Sequence, residues 1–193
     1  MRPDINKMTD ISKNSESKVK IWMKKNTYLE KKHPMHILNP SNIAGEVLLC
    51  LRYVPPQEKL TVYIIEASNL PCDNTQPIKY YIDVKLFDGD EFFEKGKTSV
   101  KKGTSSPFIG ETMIFNVPLN KTKNLNIVVA VRKWYRFNRS KKLMGTTLLS
   151  NQSDCPYKNT SLSYIFNKPG SKLQDWCTFH KPKEDTDIYS DIE

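Results

Sequence analysis

With 193 residues, the chain has the length of one folded domain with flanking tails, since single domains usually hold roughly 100–150 residues. Its formal net charge of +9 favours an anionic partner, and no apolar run in it is long enough to span a membrane as a helix. It contains none of the motifs of serine hydrolases, phosphate-binding loops or zinc proteases, so we expect a binding protein without a cofactor rather than an enzyme.

The charge is distributed unevenly along the chain. Residues 1–43 contain nine Lys or Arg against four Asp or Glu, residues 44–183 contain 21 against 12, and residues 184–193 contain five acidic residues and no basic one. This pattern predicts a basic leader over 1–43, a folded domain with a positive surplus over 44–183, and an acidic disordered tail over 184–193.

Two features of the flanking segments leave alternatives open. The polar, lysine-rich leader is predicted to be disordered, but Val19, Trp22 and Met23 could share one face of a short basic helix. In the tail, Tyr189 is a candidate phosphorylation or docking site, although acidic tails usually only keep a chain solvated.

The four cysteines show no pattern of a metal site. Cys50, Cys72, Cys155 and Cys177 form no C-x-x-C pair and have no ligand-like spacing to the histidines. We therefore expect reduced thiols and a cytoplasmic protein.

From residue 45 onward, short β-branched and aromatic runs alternate with turn residues, which is the pattern of an all-β sandwich. A helical turn is expected at 161–166, between two prolines. The runs predict eight strands, at 45–53, 59–67, 79–87, 92–101, 111–117, 125–131, 143–149 and 175–179.

Residues 132–145 form the most basic and aromatic stretch of the chain, with no acidic residue among them. Basic heads stay hydrated while rings and aliphatic stems cover apolar surface, so such a loop suits an anionic lipid headgroup, an acidic protein or a nucleic acid. The alternative is a solvated hairpin whose rings fold back onto their own sheet. The candidate membrane-binding residues are Arg132, Lys133, Trp134, Tyr135, Arg136, Phe137, Arg139, Lys141 and Lys142.

Several strings in the same order resemble C2 domains of the synaptotagmin type. Residues 45–53 (GEVLLCLRY) and 59–70 (KLTVYIIEASNL) resemble the first two strands of that family, and 97–115 (KTSVKKGTSSPFIGETMIF) resembles its basic strand, proline turn and following Glu-x-x-x-Phe strand. Residues 168–179 (KPGSKLQDWCTF) are similar to the W-H-x-L close of the second, membrane-distal domain in tandem C2 proteins. The resemblance implies an eight-stranded antiparallel Greek-key sandwich whose loops at one end face a membrane.

In many members of this family, five aspartates of these loops hold calcium. At the positions that the resemblance assigns to these five aspartates, this sequence keeps only Asp73. The other four positions are occupied by Lys79, Lys133, Tyr135 and Lys142. One carboxylate cannot gather a calcium ion, and the three lysines would repel it. We therefore expect no metal site and calcium-independent binding.

The resemblance also implies a second basic site on the concave face of the third and fourth strands. Asp83 and Glu94 dilute its charge, and an ordinary solvated strand face is the alternative. In the last strand, Trp176 is expected to pack inside the domain, as the tryptophan of the family does. The candidate residues of this strand patch are Lys85, Lys95, Lys97, Lys101 and Lys102.

Two functions remain in contention. The first is a calcium-independent module on anionic phospholipids such as phosphatidylserine and phosphoinositides, peripheral on membranes or vesicles in trafficking and exocytosis, with SNARE-type proteins and homo- or hetero-oligomers as further partners. The second is an adaptor that docks acidic proteins without lipid. Nucleic acid ranks below both, because a basic loop end leaves no continuous groove for a strand.

Overall fold

The described part of the chain, residues 42–72, 78–135, 141–151 and 162–182, is built almost entirely of antiparallel strands in a computed structural model. Short 3-10 turns lie at Pro55–Gln57 and Leu119–Asn124. The elements are β1 Ile43–Val54, β2 Lys59–Ser68, β3 Lys79–Asp88, β4 Glu91–Lys97, β5 Lys101–Lys102, β6 Phe108–Asn116, β7 Leu125–Trp134, β8 Lys141–Ser150, α1 Ser163–Asn167 and β9 Lys172–His180.

The strands form two layers that face each other. Their order is β4-β3-β7-β8-β9-β1-β2-β6, with β5 paired to β3 beside β4. The strands β8 and β9 share a single register pair, Thr146 with His180, so the sheet bends there and separates into the layers β4-β3-β7-β8 and β9-β1-β2-β6. This arrangement confirms the predicted all-β antiparallel sandwich with one short helix.

Strict alternation of apolar residues builds the core between the layers. In β2 the inward positions are Leu60, Val62 and Ile64, and all three are fully buried. From the other layer, Ile82 and Leu86 of β3 belong to the same buried core. Each such buried aliphatic side chain contributes roughly 1.5–3 kcal/mol of hydrophobic stabilisation. The odd-numbered residues of β3 from Lys79 to Lys85 point to the outer face of their layer.

Gly145 lets the two layers meet at the β8–β9 seam. A Cβ atom at this position would lie 2.7 Å from Cβ of Ala44, 2.9 Å from Cβ of Phe179 and 3.2 Å from the carbonyl oxygen of His180. Real Cβ atoms do not approach so closely, so only glycine fits without displacing the backbone of β1 or β9.

On the opposite side the sandwich is open, and two carboxylates bridge its edge strands. Glu94 of β4 accepts a hydrogen bond from the backbone N–H of Asn116 in β6 at 2.9 Å. Glu111 of β6 accepts one from the backbone N–H of Ser99 at 2.8 Å and pairs with Lys101 at 2.8 Å. These contacts satisfy backbone N–H groups that would otherwise be free to pair with a strand of another chain.

The structure differs from the predicted strand ends in several places. Strands β6 and β9 begin at Phe108 and Lys172, each three residues before the predicted start. The predicted fourth strand is split into β4 and β5, and the intervening Thr98 is tied to β3 by its N–H to the carbonyl of Ile82 at 2.8 Å and by its hydroxyl. Strands β7 and β8 continue to Trp134 and from Lys141, beyond the predicted ends at 131 and 143. Long amphipathic side chains fit the exposed end of a pleated sheet, so residues 132–134 and 141–145 of the basic stretch lie in strands rather than in a loop.

The expectation that Trp176 packs inside the domain is wrong. Trp176 lies opposite Leu48 on the outer face of the layer β9-β1-β2-β6 and is 39% exposed. Successive residues of a strand point to opposite faces, and the next residue, Cys177, is buried on the inner face. Trp176 therefore points outward.

Candidate anion-binding surface

Four strands bring their lysines together at one end of the layer β4-β3-β7-β8. In the register, Lys79 of β3 is opposite Lys102 of β5 on one side and Trp134 of β7 on the other, and Trp134 is opposite Lys141 of β8. Directly paired residues of antiparallel strands point to the same face, so these four side chains share the outer face of the layer.

The next row of the register brings two more lysines side by side. Lys133 of β7 is directly opposite Lys142 of β8 on one side and Tyr80 of β3 on the other, so this row lies on the inner face of the layer, at the ends of the strands. Like charges directly opposite each other destabilise a sheet. The fold therefore carries two such pairs, Lys79 with Lys102 and Lys133 with Lys142, at some cost to its stability, and an anionic ligand would remove that cost.

Aromatic rings lie between these charges. The Nζ atom of Lys79 sits 4.9 Å from the ring centroid of Trp134, and that of Lys133 sits 4.9 Å from the ring centroid of Tyr135. Both are cation–π contacts, which hold the ammonium groups over the ring faces. Trp134 is half-buried on the sheet and Tyr135 is exposed, so rings and charges together cover this end of the layer.

The structure corrects the placement of Arg132, which was predicted to lie in the membrane-binding loop. Arg132 is only 8% exposed, in β7, and its Nε donates a hydrogen bond to Oδ2 of Asp83 at 2.7 Å. Burial, together with the nearby Asp83 carboxylate, raises the pKa of the neighbouring Tyr81 phenol, and Arg132 opposes this rise. The guanidinium is therefore a structural partner of Asp83 and does not belong to the exposed surface.

Two members of the predicted strand patch differ from freely exposed lysines, one by burial and one by an ion pair. Lys85 is 7% exposed, at the middle of β3 opposite Lys95, and Lys101 pairs with Glu111 at 2.8 Å. Lys95, Lys97 and Lys102 are exposed, as expected. The positive charge is thus concentrated toward the loop end rather than along the whole strand.

The segments on either side of this end are only partly described. The predicted loop residues Arg136, Phe137 and Arg139 lie outside the described residues, as does Asp73, the retained aspartate of the first loop. We use the name basic surface for the described residues at this end of the layer, which are Lys79, Lys97, Lys102, Trp134 and Lys141 on its outer face and Lys133 and Lys142 on its inner face.

The residues of the basic surface do not fit a calcium ion. At the places that the resemblance gives to calcium ligands, the described residues Lys79, Lys133 and Lys142 present ammonium groups, and Tyr135 presents a phenol. Within the described ranges, no three His, Cys, Asp or Glu side chains are grouped so that they could hold a metal ion. A hard cation needs several carboxylate or carbonyl oxygens, which this set does not offer.

Sequence reasoning missed one member of the surface. Lys79 was recognised only as a replaced calcium ligand, and its contact with Trp134 depends on the register of two strands that are distant in sequence. No local pattern carries that information, because β3 and β7 come together only through the sandwich topology.

The described strands form a two-layered antiparallel sandwich whose lysines and aromatic rings are gathered at one end. The C2 domain family matches residues 58–165, more than half of the chain. The chain therefore belongs to the C2 domain family. In the described residues, no helix has the length and apolar character needed to cross a membrane.

Its relatives in sequence include synaptotagmins. Synaptotagmin-1 of Aplysia californica is 28% identical over 144 residues, which cover 74% of this chain and 33% of the relative. Synaptotagmin-8 of Rattus norvegicus is 39% identical over 92 residues, which cover 48% of this chain and 22% of the relative. The chain thus spans about a third or less of the length of these relatives.

Solved C2 domains share the fold at low sequence identity. The third C2 domain of the KIAA1228 protein has a TM-score of 0.57 at 18% identity, covering 75% of this chain and 92% of that domain. A RIM C2 domain from Drosophila has a TM-score of 0.55 at 16% identity, covering 71% of this chain and 98% of that domain. These likenesses show the fold, whereas membership of the C2 family and the synaptotagmin relatives point to a module that binds membranes or proteins.

Proposed function

We propose that the chain is a calcium-independent C2 module that binds anionic phospholipid membranes from the cytoplasmic side through its basic surface. The observation that carries this proposal is that two pairs of lysines are directly opposite each other at one end of the layer, Lys79 with Lys102 beside the ring of Trp134, and Lys133 with Lys142. Charges arranged against the stability of the sheet are expected where a ligand of opposite charge compensates them.

The expected affinity is modest and depends on salt. A lysine near an anionic leaflet is worth about 1 kcal/mol, and the attraction falls off over about one Debye length. The lysines of the basic surface do not all reach the headgroups together, so they would support reversible, peripheral docking. Phosphatidylserine and phosphoinositides are the candidate lipids because their headgroups carry a net negative charge, which attracts such a surface.

Calcium independence follows from the chemistry of the loop end. The lysines at the former ligand places supply fixed positive charge where other members of the family would bridge to phospholipid through the cation. We infer that the chain is a calcium-ligand-deficient C2 domain, similar to the second domain of tandem C2 proteins. This part of the proposal rests on the resemblance of residues 168–179 and on Lys79, Lys133 and Lys142.

The synaptotagmin relatives extend the proposal to a role. By analogy with them, the chain would act in vesicle trafficking and exocytosis, with SNARE-type or other trafficking proteins and homo- or hetero-oligomers as partners. Because the chain spans a third or less of these relatives, the role of the whole protein is a proposal drawn from one domain. No enzymatic step is part of it.

One observation favours the second candidate, an adaptor for acidic proteins. The ring of Trp134 lies under Lys79 on the sheet face, so this ring does not project from the tip of the domain as a membrane-inserting residue would. A flat surface of lysines and rings also suits an acidic protein segment. Lipid binding and protein binding therefore have to be measured separately.

The deciding experiment is sedimentation of the chain with liposomes of graded anionic content, in calcium and in chelator. We expect binding that rises with phosphatidylserine and phosphoinositide, falls with salt and is equal in both conditions. Lys133→Glu with Lys142→Glu should abolish it, whereas Lys123→Glu with Lys172→Glu, at exposed sites outside the basic surface, should not. Binding to neutral liposomes alone, or only in calcium, contradicts the proposal, and an absence of binding moves the function to acidic proteins.

A further inference from the structure

The last strand directs the chain toward the basic surface. His180, the final residue of β9, is opposite Thr146 of β8, and the two strands are antiparallel. The chain therefore leaves β9 in the direction of Lys141, the first residue of β8. The backbone N–H of Lys181 donates to the carbonyl of Asn42 at 2.8 Å and continues this direction as far as Pro182, the last described residue.

The residues that follow are the most acidic of the chain. Residues 184–193 contain five Asp or Glu and no Lys or Arg, and the first two carboxylates, Glu184 and Asp185, come directly after Lys183. We call residues 184–193 the acidic segment. Its charge is opposite to that of the basic surface.

The distance between the two is within reach of the chain. Thr146 is five residues after Lys141 on β8, which corresponds to about 17 Å along a strand, and neighbouring strands are about 4.8 Å apart. An extended chain spans about 3.3–3.6 Å per residue, so the acidic segment can pass Lys141 and continue across to Lys79 and Lys102.

The lysines of this surface are available for such a contact. Among the described residues, Lys97, Lys102, Lys141 and Lys142 are exposed and form no ion pair. The carboxylates nearby are already engaged, Asp83 by Arg132, Glu94 by the N–H of Asn116 and Glu111 by Lys101. An acidic group from outside the described residues would therefore meet exposed lysines that have no ion-pair partner among the described residues.

We propose that the acidic segment binds the basic surface of its own chain and competes there with external anions. The contact itself requires no lipid, and only its regulatory effect rests on the proposed membrane binding. A tethered ligand acts at an effective concentration around the millimolar range, so even weak ion pairs keep the surface partly covered. The anionic content needed for docking is then set by the segment as well as by the lysines.

The contact is tested directly by zero-length carbodiimide cross-linking of the full chain, followed by mass spectrometry of the monomeric fraction. We expect amide links from the acidic segment to Lys79, Lys102, Lys141 or Lys142, which disappear in high salt because screening weakens exposed ion pairs. Lys123 and Lys172 are exposed lysines outside the basic surface and serve as internal controls. Links to these controls at equal yield, or no links in the monomer, overturn the proposal.

The regulatory effect is tested with a variant whose acidic segment is neutralised by Glu184→Gln, Asp185→Asn, Asp187→Asn, Asp191→Asn and Glu193→Gln. The lipid concentration for half-maximal sedimentation with phosphatidylserine liposomes should fall about two- to tenfold, as expected when a weak tethered competitor is removed. A comparison variant that neutralises two carboxylates at the opposite end of the layer, Asp88→Asn with Glu91→Gln, should leave it unchanged. An equal fall per neutralised charge in the two variants would assign the effect to net charge and contradict competition at the basic surface.

The two proposals fail in different ways. Links in the monomer without liposome binding by either protein would keep the intramolecular contact and reject the membrane function. Liposome binding that is identical in both proteins, without links in the monomer, would keep the membrane function and reject the contact. Links found only in cross-linked dimers would assign the acidic segment to a second copy of the chain and overturn the intramolecular proposal.

Discussion

The guanidinium of Arg132 is held against the carboxylate of Asp83, with Nε donating to Oδ2 at 2.7 Å across strands β7 and β3. Both side chains are largely buried on the outer face of their layer, and the second carboxylate oxygen, Oδ1, is buried without a partner among the described residues. This pair lies next to the strand ends that display the basic surface. Because the pair joins β3 and β7, it helps to hold the strand ends that carry Lys79 and Lys133.

Removing one partner of this pair should be costly. Asp83→Ala leaves a guanidinium largely buried without its counter-charge, so the free energy of unfolding should fall by about 3 kcal/mol, at the low end of what breaking buried pairs costs. Replacing both residues by apolar ones, as in Asp83→Leu with Arg132→Met, should restore part of the loss. Urea unfolding measures both effects, and Lys97→Ala, exposed opposite Asp83 in β4, is the control that should change stability little.

A second prediction concerns the seam between the layers. Gly145→Ala should destabilise the domain by about 1–3 kcal/mol, because the added methyl meets Cβ of Ala44 and of Phe179, which are fixed to their strands. Gly96→Ala is the matched comparison, since its nearest contact is the flexible side chain of Met113 at 2.8 Å. Thermal melting of the two variants should give the larger loss for Gly145→Ala, and the reverse order would contradict the role of the seam.

The fold could be predicted from the sequence because alternation and turn residues fix the strands locally. The extent of β7 and β8 could not, because Trp134 and Lys141 become strand only by pairing with each other and with Lys79. The same limit applies to Arg132, whose basic neighbours in sequence suggested a loop, whereas Asp83, 49 residues away, makes it a buried partner. Chemistry that depends on cross-strand partners is invisible until the topology is known.

Trp176 illustrates a different failure. Its apolar neighbours and its resemblance to a family motif both suggested the core, but alternation along β9 places Cys177 and Phe179 inward and leaves Trp176 outside. The period of two along the strand was the better guide here, and it was present in the sequence.

The two half-exposed tryptophans give a prediction with an internal control. Trp134→Ala should weaken binding to phosphatidylserine liposomes roughly tenfold, because it removes apolar surface and the ring that holds Lys79 in place. Trp176→Ala removes a ring of the same kind from the other layer, outside the basic surface, and should leave binding unchanged. Urea unfolding of both variants separates a binding defect from loss of the fold, and equal losses of binding would argue against the proposed surface.

Glu111 should make the open edge of the sandwich sensitive to acid. Its burial opposes ionisation, but hydrogen bonds from Lys101 and Ser99 outweigh this and hold the pKa of the Glu111 carboxyl below its ordinary value of 4.5. The stabilisation is therefore complete above pH 4.5 and is lost as pH falls below that value through the lowered pKa. Melting temperatures between about pH 3 and 6 should drop less steeply for Glu111→Gln than for the unmodified chain, and parallel curves would contradict this role.

His180 should act in a separate, higher pH range at the β8–β9 seam. Burial lowers the pKa of its imidazole below 6.5, so the folded chain keeps the ring neutral while the unfolded chain takes up a proton near that pH. Because the unfolded state binds more protons there, stability is complete above pH 6.5, falls as pH drops through the lowered pKa, and levels off below it. His180→Gln removes the titrating group at the position that pairs with Thr146 and Ile43. The variant should lose the part of the pH dependence that begins as pH falls below 6.5, while keeping the loss in stronger acid that Glu111 causes. A variant whose melting temperature still falls just below pH 6.5 would assign the dependence to another group.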